Sequence, residues 1–254
     1  MKTALTIAGS DPTGGAGLQI DLKVFKAMGV YGLSIPSVLT AQNTNGVFDI
    51  HELPINFFIT QLDTLLNDIL PDAVKTGMVY SVEVVEVIVD RVKGYSLKNL
   101  VIDPVTVSSS GTPLIKGDVL EVMKGRLFPI AKVITPNIYE ASVLTGIDIN
   151  NEEDMKESAV RLHGYGSESV IITGGHLKDR AKDILFDGKE FIILEDEVLD
   201  DKYHGTGCVF SSVITASLAL GYGIKEAFIK AKEFTYSAMR SALSLGDGMK
   251  ILNV

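Results

Sequence analysis

Apolar residues recur along this chain in two alternating rhythms. A compact apolar run at residues 4–8 ends in Gly9 and reads as a buried strand. The loop Gly9-Ser10-Asp11-Pro12-Thr13-Gly14-Gly15-Ala16-Gly17 follows, then a helix to about Met28 with Leu18, Leu22, Phe25 and Met28 on one face. Residues 33–42 and 47–51 read as extended segments around a turn at Asn43-Thr44-Asn45-Gly46. Pro54 precedes a helix through Leu70, with Phe58, Leu62, Leu65, Leu66 and Ile69 on its buried side. Residues 73–76 form a short strand ending at Gly77, and 82–92 read as helix. Three further strands stop at polar or glycine-rich stretches: 100–102 at Asp103-Pro104, 132–135 at Pro136-Asn137, and 169–173 at Gly174-Gly175-His176. Strands alternating with helices predict an α/β fold, a central, mostly parallel sheet flanked by helices on both faces. Beyond His176 the rhythm changes. Residues 183–186 and 190–194 flank Asp187-Gly188, a hairpin signal, and two helices follow at about 206–220 and 225–243. No linker, repeat or low-complexity segment intervenes, so one domain over residues 1–254 is expected.

Composition narrows the function classes. Hydrophobic residues make up 46% and charged residues 22% of the chain, ordinary values for a globular protein. A formal net charge of −9 argues against general nucleic-acid binding, which needs a basic patch. It leaves room for a small phosphorylated ligand held by local dipoles and a few cations. No apolar segment approaches the ~20 residues that span a bilayer. The stretch after Met1 is too short for a signal peptide. A lone cysteine, Cys208, cannot form an internal disulfide, which fits a reducing compartment. The chain is expected to be cytoplasmic.

The candidate chemistry centres on Tyr203-His204-Gly205-Thr206-Gly207-Cys208, which opens the helix predicted from about Thr206. At a helix start about four N–H groups lack an intrahelical partner, and the dipole puts partial positive charge there. Glycine admits a bulky anion to that backbone, so the turn is suited to phosphate. Cys208 lies within the first helical turn, where the field lowers a thiol pKa and favours the thiolate. The same letters also fit a plain helix start with packing glycines and a small buried cysteine. The first glycine loop matches neither common nucleotide fingerprint: Gly15, not Lys, follows Gly14, and Ile20 stands where a dinucleotide loop needs Gly or Ala. Asp21, one turn into the next helix, is a polar candidate beside that loop.

Ligands of open α/β sheets lie beyond the carboxyl ends of the strands. The Gly9 loop and residues 75–78, 103–105, 135–140 and 174–176 all fall at such ends. Asn137 and Glu140 have capping-box spacing, and the same pair can orient water around Mg²⁺; the two roles can coexist. Asp103 is either a strand terminator or a carboxylate placed for metal or phosphate chemistry. His51, His163, His176 and His204 show no metal-ligand spacing, and no G-x-S-x-G elbow occurs.

Taken together, ALTIAGSDPTGGAG at 4–17, QIDLK at 19–23, LTAQNT at 39–44, KTGM at 75–78, Asp103-Pro104-Val105, Thr135-Pro136-Asn137 with Glu140-Ala141, and HGTGC at 204–208 resemble the hydroxymethylpyrimidine/phosphomethylpyrimidine kinases of the ribokinase-like superfamily. The resemblance runs in order from about residue 4 to about 243. It implies transfer of the ATP γ-phosphoryl to 4-amino-5-hydroxymethyl-2-methylpyrimidine and then to its monophosphate, in thiamine biosynthesis, with ATP and Mg²⁺ as cofactors and a homodimer as the assembly. Gly205, Thr206 and Gly207 would form the anion hole, and Cys208 would take the hydroxyl proton. Gly9, Ala16, Asp21, Gln42, Met78 and Val105 map onto the pyrimidine pocket. Asp103, Asn137 and Glu140 map near Mg²⁺ and the phosphates, and Thr173, Gly175, Asn137, Gly205 and Gly207 near the nucleotide. Relatives commonly carry Met and then Ala-Lys where this chain has Thr106 and Ser108-Ser109, and Lys where it has Thr173. Both differences remove a cation from the expected phosphate region. A pyridoxal kinase of the same superfamily and a non-catalytic pyrimidine sensor are the alternatives.

Overall fold

In a computed structural model the chain is described over residues 1–107, 111–175 and 180–254. The expectations on Ser108, Ser109 and His176 fall outside the described residues. The apolar run at the start becomes β1 (Thr3–Ser10), followed by α1 (Gly17–Ala27), the long β2 (Tyr31–Asn43) and β3 (Gly46–Glu52). Next come α2 (Ile55–Leu66), β4 (Ala73–Thr76), α3 (Val82–Gly94) and β5 (Leu100–Ile102). A wound segment opens with α4 (Val119–Val122) and leads to β6 (Val133–Ile134), α5 (Ile138–Thr145), α6 (Glu152–His163) and β7 (Val170–Gly174). The hairpin of β8 (Ala181–Phe186) and β9 (Phe191–Asp196) precedes β10 (Tyr203–His204), α7 (Thr206–Ala219), α8 (Ile224–Arg240) and β11 (Lys250–Ile251).

Nine strands form one sheet in the order β3-β2-β1-β4-β5-β6-β7-β8-β9. Pairing is parallel from β2 through β7 and antiparallel at the outer pairs β2/β3, β7/β8 and β8/β9. The α/β expectation therefore holds. Alternation along each strand sorts side chains onto two faces. Leu5, Ile7, Val74, Leu100, Ile102 and Ile172 meet α2, α3, α5 and α6. Val101, Val133, Ile171 and Leu185 meet α1, α7 and α8. No helix among the described residues is long and apolar enough to cross a membrane.

The structure departs from the sequence reading at the end of α2 and at the end of the chain. The helix expected through Leu70 ends at Leu66, where Asp68 and Ile69 close back onto the Leu65 carbonyl at 3.1 and 2.8 Å. The chain also returns at its end: Lys250–Ile251 pairs in parallel with Tyr203–His204 and so braces the approach to α7.

Candidate active site

The sheet reverses strand order around β1, whose neighbours are β2 and β4, and the crevice beyond the strand ends opens there. Two glycine-containing turns meet in it. Gly205 adopts φ +88°, and a Cβ built on it would lie 1.9 Å from the Gly15 carbonyl oxygen. Gly17 adopts φ +58°, and its Cβ would lie 2.3 Å from the Gly9 carbonyl oxygen. Only glycine permits either conformation and such close backbone approach. The start of α7 is thus fixed against the loop between β1 and α1.

Asp11 ties the two turns together. Its carboxylate accepts hydrogen bonds from the Thr13 N–H at 2.8 Å, the Thr13 hydroxyl at 2.9 Å and the Ala16 N–H at 2.7 Å. His204 Nε2 lies 2.8 Å from the same carboxylate. Burial alone would raise the Asp11 pKa, but the contacts with His204, Gln42 and Thr13 outweigh it and hold the group at about 2. Sequence reasoning missed Asp11 as a member of the site. Its Asp-Pro-Thr-Gly context carries a local turn signal, but the partner His204 is 193 positions away.

Helix α7 begins at Thr206 with no side chain capping it, and its first return bond runs from Val209 N–H to the Gly205 carbonyl at 2.9 Å. The N–H groups of Thr206, Gly207 and Cys208 consequently remain for a ligand. Gly205, Thr206, Gly207 and Cys208 all line a cavity of about 160 Å³. The expected low thiol pKa is corrected. The Cys208 side chain reaches the cavity, yet protein packs closely around the rest of it, and burial pushes the thiol up to about 12. Lys75 and the Gly17 N–H act in the opposite direction but do not overcome burial, to which Asp103 and Asp21 add.

Gly9, Ala16, Gln42, Met78 and Val105 line the same cavity, as expected for the ring pocket. Asp21 does not. It is fully buried beneath the cavity floor, where Thr6, Ser212 and Lys75 occupy its two oxygens at 2.6, 2.7 and 2.9 Å. A carboxylate committed to three internal partners has no approach for a ligand, so its placement in the ring pocket is corrected. Gly175 likewise falls outside the lining, whereas Thr173 belongs to it. The Thr173 N–H donates to the Pro136 carbonyl at 3.0 Å, which brings the ends of β6 and β7 side by side.

Asp103, Asn137 and Glu140 converge on the cavity wall. The capping box is present: Asn137 Oδ1 accepts from the Glu140 N–H at 2.9 Å, and Glu140 Oε2 accepts from the Asn137 N–H at 3.0 Å. Burial, with the nearby Asp103 adding to it, lifts Glu140 to about 8. Burial also raises Asp103, against the attraction of Lys75. Two buried carboxylates short of positive charge suit a hard cation with oxygen ligands. Among the described residues no three His, Cys, Asp or Glu side chains converge as a metal cage. A cation here would keep most of its water, which is the habit of Mg²⁺.

Comparisons with known proteins bear on the family and the fold. The family model for phosphomethylpyrimidine kinase matches residues 11–253. The chain is 46% identical over 248 residues to a thiamine biosynthesis bifunctional protein of Geobacter sulfurreducens, covering 97% of this chain and 51% of that protein, about half its length. The crystal structure of a phosphomethylpyrimidine kinase from Clostridium difficile is 44% identical and superposes with a TM-score of 0.84, covering 94% of this chain and all of that one. The Staphylococcus aureus pyridoxal kinase in complex with AMP-PCP and pyridoxal is 35% identical with a TM-score of 0.91, covering 99% of this chain and 93% of that one.

Proposed function

The chain belongs to the phosphomethylpyrimidine kinase family, and on that premise we propose that it phosphorylates 4-amino-5-hydroxymethyl-2-methylpyrimidine and then its monophosphate, using ATP. The observation that carries this reading is one continuous cavity, running from the uncapped start of α7 to Gln42 and Met78. One end offers backbone N–H groups to an anion. The other offers an amide and an apolar wall to an aminopyrimidine ring.

The alcohol oxygen attacks the γ-phosphorus, the bond to the β-phosphate oxygen breaks, and the hydroxyl proton leaves. Such transfer depends on alignment and on neutralising charge spread over the phosphoryl oxygens. The N–H groups of Thr206, Gly207 and Cys208 are placed to do that, and a lost donor of this kind costs ~10²–10³-fold. Cys208 is the candidate proton acceptor beside them. Because burial keeps it a thiol at neutral pH, acceptance runs through a minor thiolate population, and turnover that depends on it rises with pH. Asp103, Asn137 and Glu140 would hold Mg²⁺ through its water shell. When bound, Mg²⁺ supplies positive charge between the phosphate groups. Thr173 contributes a hydroxyl but no cation at the phosphate end. We expect a cytoplasmic homodimer that does not bind nucleic acid, a reading supported by family resemblance and the net charge of −9.

The test is mass analysis of products from ATP, Mg²⁺ and the hydroxymethylpyrimidine. Mono- and diphosphate are expected; pyrimidine bound without ADP release would point to a sensor. The second reading, a pyridoxal kinase, is favoured by the fold match to the Staphylococcus aureus enzyme. Faster turnover on pyridoxal than on the pyrimidine would select it.

A further inference from the structure

Beneath the cavity floor lies a charged cluster for which the reaction as described has no use. Lys75 and Asp21 form an ion pair at 2.9 Å with both side chains fully buried. Taking two charges out of water costs several kcal/mol per ion, and replacing such pairs by apolar residues is often neutral or stabilising. Its retention therefore calls for a reason beyond packing.

Geometry supplies one. On α7, Cys208 and Ser212 are four residues apart and share a face. On α1, Gly17 and Asp21 are four apart in the same way. At the upper rung of this ladder the Gly17 N–H acts on the Cys208 sulfur and favours its thiolate. The lower rung joins the Ser212 hydroxyl to Asp21 Oδ1 at 2.7 Å. Thr6 on β1 clamps the other carboxylate oxygen at 2.6 Å. Lys75 enters from β4, and a Cβ on the cavity-lining Gly77 would sit 3.3 Å from its Nζ. The ammonium thus lies just under the floor. Among the described residues, the charged groups that act on Cys208 are Lys75 from β4, Asp103 from the end of β5 and Asp21 from α1, one cation among two carboxylates.

We propose that the Lys75–Asp21 pair is a positioning element of the active site: Lys75 is the fixed positive charge against which Cys208 yields its proton, and Asp21, clamped by Thr6 and Ser212, holds the ammonium there. The inference rests on Cys208 being the proton acceptor. It explains why a lysine occupies a central strand flanked by Val74 and Thr76.

Cys208 is the chain's single cysteine, so alkylation by iodoacetamide reports on it alone. Rates would be followed from pH 7.5 to 10 on wild type, Lys75→Met, Asp21→Asn and the double variant, with a thermal melt of each. Removing the cation should slow alkylation about tenfold or more at a given pH, since an opposite charge nearby shifts a pKa by ~1–3 units. Asp21→Asn should slow it as well, because the buried ammonium then loses the carboxylate that holds it in place and keeps it charged. The double variant removes both buried charges, which keeps the test open if Lys75→Met alone melts early. A purely structural pair would loosen the site in both single variants and speed alkylation in both. That outcome, or an unchanged rate in Lys75→Met and the double variant, overturns the proposal. Undiminished turnover in Cys208→Ala would instead retire the acceptor reading and leave the alkylation comparison intact.

Discussion

Gly207→Ala separates the site from the fold. Gly207 is the second residue of α7, exposed to the cavity, and its backbone needs no left-handed conformation. A Cβ there would meet nothing closer than Asp103 Oδ2 at 3.8 Å. The fold therefore accepts the methyl. Alanine is the better helix former by up to ~1 kcal/mol in an interior position, so about 0.5 kcal/mol is reasonable in a first turn. For a protein near this size that raises Tm by about 1–2 °C. The same methyl enters the space that phosphoryl oxygens must occupy to reach the α7 N–H groups. Keeping those oxygens from one donor costs ~10²–10³-fold in kcat. Gly205→Ala is the contrast, because its φ of +88° and the 1.9 Å approach to the Gly15 carbonyl force the two turns apart. The left-handed conformation alone costs ~1–2 kcal/mol, so that variant should lose activity and stability together. Coupled ADP-release kinetics and a melting curve on the three proteins decide the matter. A Gly207→Ala enzyme with wild-type kcat/KM would refute the assignment of the α7 start as the phosphoryl site.

Three further outcomes follow from the electrostatics. If Cys208 accepts the proton through its scarce thiolate, log kcat should climb between pH 6 and 9 with no plateau, and Cys208→Ser should flatten that climb; a flat wild-type profile counts against the role. Asp11 is depressed to about 2, so its contribution is complete above the ordinary value of 3.8 and fades as pH falls from about 4 to about 2. Allowing for solvent screening it amounts to about 1–2 kcal/mol, and Asp11→Asn should remove that acid-dependent loss in denaturant titrations at pH 2–5. Glu140 has the opposite sign. With a folded-state pKa of about 8 against 4.5, it makes the ligand-free protein lose stability as pH rises through that window, by at most ~1.4 kcal/mol per pH unit. Glu140→Gln keeps a capping-box residue and should flatten the slope of Tm against pH; an equally steep slope would show that another group titrates.

What could be read from the letters, and what could not, divides along a physical line. Backbone-determined features were legible. The alternation of apolar runs with amphipathic segments specified the sheet and its two helical layers, and the Gly-Thr-Gly turn specified an uncapped helix start. Asn137 and Glu140, three residues apart, specified a cap that is present with both reciprocal bonds. Each of these depends on residues within one or two turns of each other. The pairing of β10 with β11 was illegible because two-residue strands carry no periodicity, and they lie 47 positions apart. α6 was missed for a different reason: its acidic first turn and polar face hide Met155, Ala159 and Leu162, which seal the far layer.

Charge placement was the harder quantity, because a side chain's ionisation depends on neighbours that the fold brings from afar. Asp21 looked like a ligand contact since it follows the glycine loop by one helical turn. Its fate was decided by Lys75, 54 residues away, and Ser212, 191 residues away. The helix-start argument for a thiolate at Cys208 failed similarly: the dipole is a local property, while burial is a global one, and burial is larger. The chain did hold one clue. Lys75 interrupts an apolar strand at a position where alternation points it at α1 and α7. An ammonium in such a layer cannot stay charged alone, so a buried carboxylate had to stand opposite. Asp21, on the helix that covers β1, was the acid in reach. Lysine in a central strand therefore calls for a buried acid on the covering helix, and here the pair it identifies lies beneath the floor of the cavity.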